Sequence, residues 1–126
     1  MKELELKGLS EQDTARIGEK LGEGLFPGAF IALYGGLGAG KTTLTRSIAA
    51  ALGIRGILSP TFTIVREYAG RIPLFHFDAY RLGDADELYA IGFDEYMARG
   101  GAIIMEWCEN VEDALPCDRL ETVSYT

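Results

Sequence analysis

The sequence predicts an α/β fold: a mostly parallel sheet flanked by helices, with one antiparallel hairpin. Two apolar runs, AFIALY (29–34) and AIIM (102–105), lack polar alternation, as strands covered on both faces do. The segments TIVREY and PLFHFDAY flank a turn at Gly70, which is typical of a β-hairpin. The chain of 126 residues is long enough for one core, so we predict a single domain over residues 1–126.

The first half of the chain alternates strands and helices. LELKGL (4–9) is a candidate short strand, and Ser10 follows as the N-cap of a helix that extends to about residue 25. The strand 29–34 leads into a glycine-rich loop. TTLTRSIAAAL then predicts a helix that closes near Gly53. This order of strand, glycine loop and helix is the start of a parallel α/β unit.

The second half contains shorter elements. Asp84 or Asp86 is positioned to cap a short helix through ELYAIGF, and AIIMEW predicts a strand. ENVEDALP predicts a short helix that Pro116 stops, and RLETVSY alternates as a strand does.

Composition narrows the possible functions. The net charge of −7, from 19 acidic and 12 basic residues, disfavours strong direct binding to nucleic acid by this chain alone. The apolar runs are far shorter than the roughly 20 residues that cross a bilayer, and the charged N-terminus lacks a signal-peptide core. We therefore expect a cytoplasmic protein with no membrane partner. Cys108 and Cys117 match no zinc spacing and are expected to be packed or idle thiols.

The stretch YGGLGAGKTT carries the strongest functional signal. Gly35 through Thr42 fits G-x-x-x-x-G-K-[ST], between a strand and a helix as a phosphate-binding loop requires. Glycines let successive backbone N–H groups point at an anion, and the helix dipole adds positive potential. Lys41 is then placed to reach the β- and γ-phosphates, and the Thr42 hydroxyl to ligate Mg²⁺.

Two strands end in a carboxylate that could serve the metal. Residues 102–105 are apolar on both faces, which predicts a central parallel strand beside the loop strand and makes Glu106 the metal residue, directly or through a water. LFHFD alternates, which suits a half-exposed or antiparallel strand. Its last residue, Asp78, is the candidate for orienting or deprotonating the attacking water, or for supporting a metal ligand.

The sequence also indicates which base is bound. The only asparagine is Asn110, so the N-K-x-D element that reads guanine is missing. The only glutamine, Gln12, precedes the loop and cannot position water as the glutamine of Ras does. By elimination the nucleotide is ATP, and hydrolysis would depend on Mg²⁺ and carboxylates.

Several segments together resemble one family. Beside GGLGAGKTTLTR stand SPTFTIVREY, HFDAYRL, ELYAIGFDEY and IMEW, in this order and over about residues 10–107. The chain resembles the TsaE (YjeE) family, P-loop ATPases of bacterial tRNA threonylcarbamoyladenosine biosynthesis. The resemblance implies binding of ATP and Mg²⁺, and weak hydrolysis by the protein alone. It also implies partnership with TsaD and TsaB, the complex that modifies adenosine 37 of tRNAs reading ANN codons. Contact with tRNA would be indirect, through that complex.

The resemblance assigns roles by position. It implies metal ligation by Thr42 and Glu106, and Asp78 lies in the family's second signature, HFDAYRL. From these matches together with the strand-end positions, we predict catalytic roles for Lys41, Asp78 and Glu106. The SPTF segment would be a switch-like loop near the γ-phosphate, and Trp107 would lie near the nucleotide or the partner. The nucleotide-binding residues it implies are Gly35, Gly36, Leu37, Gly38, Ala39, Gly40, Lys41, Thr42, Thr43 and Thr61.

The match has three departures. Gly36 stands where the family often has an acid, and Cys108 stands where it often has a proline. The family usually continues past the last strand, so a shortened C-terminal end is expected.

Some roles and functions stay open on sequence alone. His76 is either a hydrogen-bonded structural residue or part of the site, and Arg46 and Arg81 are either arginine fingers or surface residues. A nucleotide-sensing adaptor, in which occupancy rather than hydrolysis matters, is an alternative to a partner-regulated ATPase. A small-molecule kinase is disfavoured, because the chain has neither a lid-sized insertion nor an arginine cluster.

Overall fold

The computed structural model describes residues 2–7, 10–35, 39–58 and 64–125. Strands and helices alternate along this part of the chain, and the antiparallel hairpin lies in the middle. The elements are β1 (Lys2–Lys7), α1 (Glu11–Glu23), β2 (Phe30–Gly35), α2 (Ala39–Ala51), β3 (Val65–Tyr68), β4 (Leu74–Asp78), α3 (Ala85–Ala90), α4 (Phe93–Ala98), β5 (Ala102–Glu106), a 3₁₀ helix (Cys108–Ala114) and β6 (Leu120–Tyr125).

The described strands form one sheet in the order β1-β6-β2-β5-β4-β3. Neighbouring strands are parallel throughout except β3 and β4, which pair antiparallel as the hairpin. This confirms the predicted mostly parallel sheet with one antiparallel pair. It also confirms that β5 lies directly beside β2, the strand that leads into the phosphate loop.

Helices cover both faces of the sheet. On one face Leu44 and Ile48 of α2 pack on residues that include Ile31 and Ile104. On the other face α3, α4 and the 3₁₀ helix cover an aromatic core that includes Phe75, Phe77 and Phe93. Burial on both faces explains why β2 and β5 are apolar without alternation.

Of the two interpretations that the alternation in LFHFD allowed for β4, an antiparallel strand is confirmed and a half-exposed strand is wrong. β4 is antiparallel to β3 but parallel to β5, and all five of its residues are buried. The alternation in LFHFD separates two buried environments. Phe75 and Phe77 face the aromatic core, whereas His76 and Asp78 lie on the face that carries α2.

Two of the predicted helix starts are confirmed. The Ser10 hydroxyl accepts from the Asp13 N–H at 3.1 Å, and the Asp13 carboxylate accepts from the Ser10 N–H at 3.4 Å, which is a capping box. Asp84 caps α3 through the Glu87 N–H at 3.0 Å. The helix predicted through Phe93 instead splits at Gly92, where φ of 92° suits glycine.

Both cysteines are free thiols, as expected. The buried Cys108 thiol donates to the Met105 carbonyl at 3.1 Å, and burial raises its pKa, whereas Cys117 is exposed. No helix in the described part of the chain has the length and apolarity to span a bilayer.

Close packing of α1 on α2 leads to a stability prediction. A Cβ at Gly22 would lie 2.5 Å from the Ala51 Cβ and 2.6 Å from the Ile48 carbonyl oxygen. Gly22→Ala is therefore expected to lower the free energy of unfolding by about 1–3 kcal/mol, because overpacking outweighs the gain in helix propensity of about 1 kcal/mol. Thermal unfolding measures this. Gly24→Ala is the control, since its Cβ would meet nothing closer than 3.7 Å. Equal melting temperatures for the two variants would contradict the prediction.

Candidate nucleotide and metal site

The phosphate-loop sequence spans the junction between β2 and α2. Gly35 is the last residue of β2 and α2 begins at Ala39, three residues before Thr42, where the predicted helix begins. Gly36, Leu37 and Gly38 lie outside the described residues. The first turn of α2, which includes Ala39 and Gly40, therefore follows closely on the carboxyl end of a central strand. The backbone N–H groups of a first helical turn have no partners within the helix, so they form a ready site for an anion.

Lys41 is buried in the first turn of α2. Its exposed fraction is 5%, and Nζ has no hydrogen-bond partner among the described residues. The Nζ atom lies over the face of the Trp107 ring, 5.1 Å from the ring centroid. A buried ammonium without an anion is costly, and a cation–π contact offsets only part of that cost. This environment fits a group that binds a phosphate.

Two carboxylates lie opposite each other at the ends of neighbouring strands. Asp78 ends β4 and Glu106 ends β5, and the two are direct partners in the parallel register. The Asp78 Oδ1 atom accepts from the Tyr80 N–H at 2.9 Å. The Glu106 Oε2 atom lies 2.8 Å from the His76 Nε2 atom. β5 is the parallel neighbour of β2, so both carboxylates lie at the same end of the sheet as Gly35, the last residue of β2.

The candidate oxygen ligands near this end of the sheet are of the kind that binds Mg²⁺ together with phosphate and water. In the described part of the chain they do not form a site in which protein side chains alone would hold a metal. Among the residues that the structure describes, no group of three or more His, Cys, Asp or Glu side chains could hold a metal. Mg²⁺ is usually bound by one or two carboxylates together with phosphate and water oxygens. Glu106, and the exposed Thr42 on α2, are oxygen donors of that kind.

The structure leaves part of the predicted site untested. Thr61 and the rest of the SPTF segment lie outside the described residues, so a switch role for that loop stays a prediction. Thr43 is half-buried on α2. Its contact with nucleotide also stays a prediction.

Trp107 has an unusual backbone conformation directly after Glu106. Its φ of 59° and ψ of 42° lie in the left-handed region, which is sparsely populated by residues other than glycine. Its ring lies against Tyr80, with centroids 4.9 Å apart, and over Lys41. The family resemblance implied a position for Trp107 near the nucleotide or the partner, which stays a prediction, and nothing in the sequence indicated the contact with Lys41.

The structure gives different outcomes for the three residues whose roles the sequence left undecided. His76 contacts Glu106, the carboxylate that the sequence assigned to the metal. Arg46 is exposed on α2 and lies five positions after the buried Lys41, roughly 140° around the helix. That placement disfavours an arginine-finger role for Arg46. Arg81 is exposed just after β4, and its role stays a prediction.

The fold and this arrangement of residues identify the structural class of the protein. A phosphate-loop sequence between a central parallel strand and its helix, with carboxylates ending the next two strands, is the arrangement of a P-loop α/β protein. The family model for the threonylcarbamoyl adenosine biosynthesis protein TsaE matches residues 9–126. The chain belongs to the TsaE family, as the resemblance indicated.

Individual relatives agree with this assignment. The chain is 42% identical over 125 residues to the tRNA threonylcarbamoyladenosine biosynthesis protein TsaE of Bacillus subtilis, covering 98% of this chain and 78% of the relative. It is 43% identical over 108 residues to the protein of that name from Treponema pallidum, covering 85% and 80%. The crystal structure of Bacillus subtilis YdiB superposes with a TM-score of 0.78 at 36% identity, covering 94% of this chain and 74% of that one.

Proposed function

We propose that this chain is a Mg²⁺-dependent ATPase of tRNA threonylcarbamoyladenosine biosynthesis. It would act with the TsaD–TsaB complex on adenosine 37 of tRNAs reading ANN codons, and would not itself be the transferase. Family membership supports the pathway. The observation that carries the nucleotide role is the Lys41 Nζ atom, which is buried in the first turn of α2 and has no hydrogen-bond partner among the described residues.

The residues at the carboxyl end of the central strands and in the first turn of α2 have separate roles in this proposal. The Lys41 ammonium and the first-turn N–H groups of α2 hold the β- and γ-phosphates. The Thr42 hydroxyl and the Glu106 carboxylate hold Mg²⁺. Asp78 accepts a hydrogen bond from, and so orients, the attacking water. When bound, Mg²⁺ neutralises charge on the phosphate oxygens.

The site also favours slow hydrolysis by the protein alone. The sequence has no glutamine after the loop, and Arg46 lies on the face of α2 turned away from Lys41. An arginine finger is worth roughly 10³–10⁵ in rate where one acts. A partner that orders the site or supplies such a charge would therefore control the rate.

The acidic charge of the chain supports indirect contact with tRNA. A net charge of −7 repels a phosphate backbone, so the basic surface for tRNA would come from the partner complex.

Steady-state ATP hydrolysis tests the proposal, measured with Mg²⁺ for the protein alone and mixed with purified TsaD–TsaB. A low basal rate that rises on mixing is the expected result, with Lys41→Met as the inactive control. ATP-dependent association without a rise in rate would instead favour the nucleotide-sensing adaptor. If neither hydrolysis nor association occurred, the proposal would be overturned.

A further inference from the structure

His76 makes a specific contact with the carboxylate assigned to the metal. It is the only histidine in the chain, and its exposed fraction is 4%. The His76 Nε2 atom lies 2.8 Å from the Glu106 Oε2 atom. An ionised carboxylate only accepts hydrogen bonds, so Nε2 carries the hydrogen and donates it.

The sheet fixes the geometry of this contact. His76 is opposite Ile104 in the parallel register of β4 and β5, and Glu106 is two residues further along β5. Side chains two apart on a strand share a face, so the imidazole reaches diagonally along one face to the carboxylate. β4 lies between β3 and β5, which holds the histidine backbone on both sides. Glu106 is at the strand end with a side-chain exposure of 20%, so it is the less constrained partner.

Packing alone does not account for a histidine here. The Nδ1 atom is buried and has no hydrogen-bond partner in the described part of the chain. A buried polar atom without a partner lowers stability. An aliphatic side chain would fill this position without that cost, so the contribution specific to the imidazole is its hydrogen bond to Glu106.

We propose that His76 is a positioning residue for Glu106. Its hydrogen bond fixes Oε2 and thereby the plane of the carboxylate. The inference rests on the proposed function, because it takes Glu106 as the metal residue. Removing a residue that hydrogen-bonds to a metal ligand typically lowers the metal affinity by about 10–100-fold.

The first test compares three variants by Mg²⁺ titration of fluorescent N-methylanthraniloyl-ATP binding. His76→Leu removes the donor, His76→Gln places an amide nitrogen near the Nε2 position, and His76→Asn places it too near the backbone to reach Glu106. We expect His76→Leu and His76→Asn to raise the half-saturating Mg²⁺ concentration by about 10–100-fold. His76→Gln should have a half-saturating Mg²⁺ concentration much closer to that of the wild type. Binding of the nucleotide in EDTA should stay unchanged in all three.

The contrary outcomes are distinct. A wild-type Mg²⁺ dependence in folded His76→Leu would overturn the inference. Equal loss of nucleotide binding in EDTA and in Mg²⁺, without rescue by glutamine, would also overturn it in favour of a structural role. If the wild-type protein bound nucleotide with no Mg²⁺ dependence, the metal role of Glu106 and this inference would fail together. Mg²⁺-dependent binding without hydrolysis would overturn only the ATPase proposal.

A second readout needs neither metal nor nucleotide. Because His76 is the only histidine, ¹⁵N-imidazole NMR of the full chain observes it alone. We expect a slowly exchanging Nε2–H proton in the nucleotide-free protein, whose resonance moves in Glu106→Ala. A rapidly exchanging proton, or a resonance that does not move, would overturn the contact.

Discussion

Lys41→Met is expected to weaken ATP binding by about 30-fold or more, because losing one partner of a buried charge pair costs roughly 2–5 kcal/mol. Methionine keeps most of the apolar stem of lysine and removes the ammonium. The same change should raise the free energy of unfolding of the nucleotide-free protein by about 1 kcal/mol. In that state Nζ is buried without a hydrogen-bond partner among the described residues, and its contact with the Trp107 ring offsets only part of its desolvation. Both effects are expected of a lysine that binds phosphate and whose buried charge destabilises the protein when no phosphate is bound.

Calorimetric titration with ATP and thermal unfolding without it measure the two effects. The stability gain corresponds to a rise in melting temperature of about 3 °C for a domain of this size. Lys20→Met is the matched control, because Lys20 is exposed in the last turn of α1 and should change neither quantity appreciably. Undiminished ATP affinity in Lys41→Met would contradict the phosphate-binding role. A lower melting temperature would contradict the account of its buried charge.

Glu106→Gln is expected to slow ATP hydrolysis by about 100-fold or more, since loss of metal charge stabilisation amounts to several kcal/mol. ATP binding should change much less, because Lys41 and the first turn of α2 hold the phosphates. Glutamine matches glutamate in size, and its carbonyl oxygen can still accept the hydrogen bond from His76. The variant therefore removes the negative charge and leaves the packing in place.

Phosphate release under single-turnover conditions measures the rate, and Glu109→Gln is the control. Glu109 is an exposed acid in the 3₁₀ helix, three residues further along the chain. A rate in Glu106→Gln close to that of Glu109→Gln would rule out Glu106 as the metal residue. With TsaD–TsaB present, Glu106→Gln also distinguishes the two functions. An adaptor would keep working if ATP still bound, whereas an ATPase-driven cycle would stall.

Much of the fold could be predicted because its signals are local. The capping box at Ser10, the apolar runs of β2 and β5 and the glycine turn of the hairpin each depend on residues close together in sequence. Elements with weaker local signals were less well predicted. The helix through Phe93 divides at Gly92, and the alternation in β4 looked like solvent exposure because periodicity cannot separate a polar site from water.

The sequence by itself determined the chemistry of this protein: the phosphate-loop motif between a strand and a helix, the two strand-ending acids and the family. The tertiary structure alone decided which of these groups meet. It places Asp78 opposite Glu106, brings the His76 imidazole onto that carboxylate and lays the Trp107 ring over Lys41. These pairs lie about 30 or more residues apart in the chain, so their contacts depend on strand order and register. No local pattern encodes those, because they arise from packing two helical layers on one sheet.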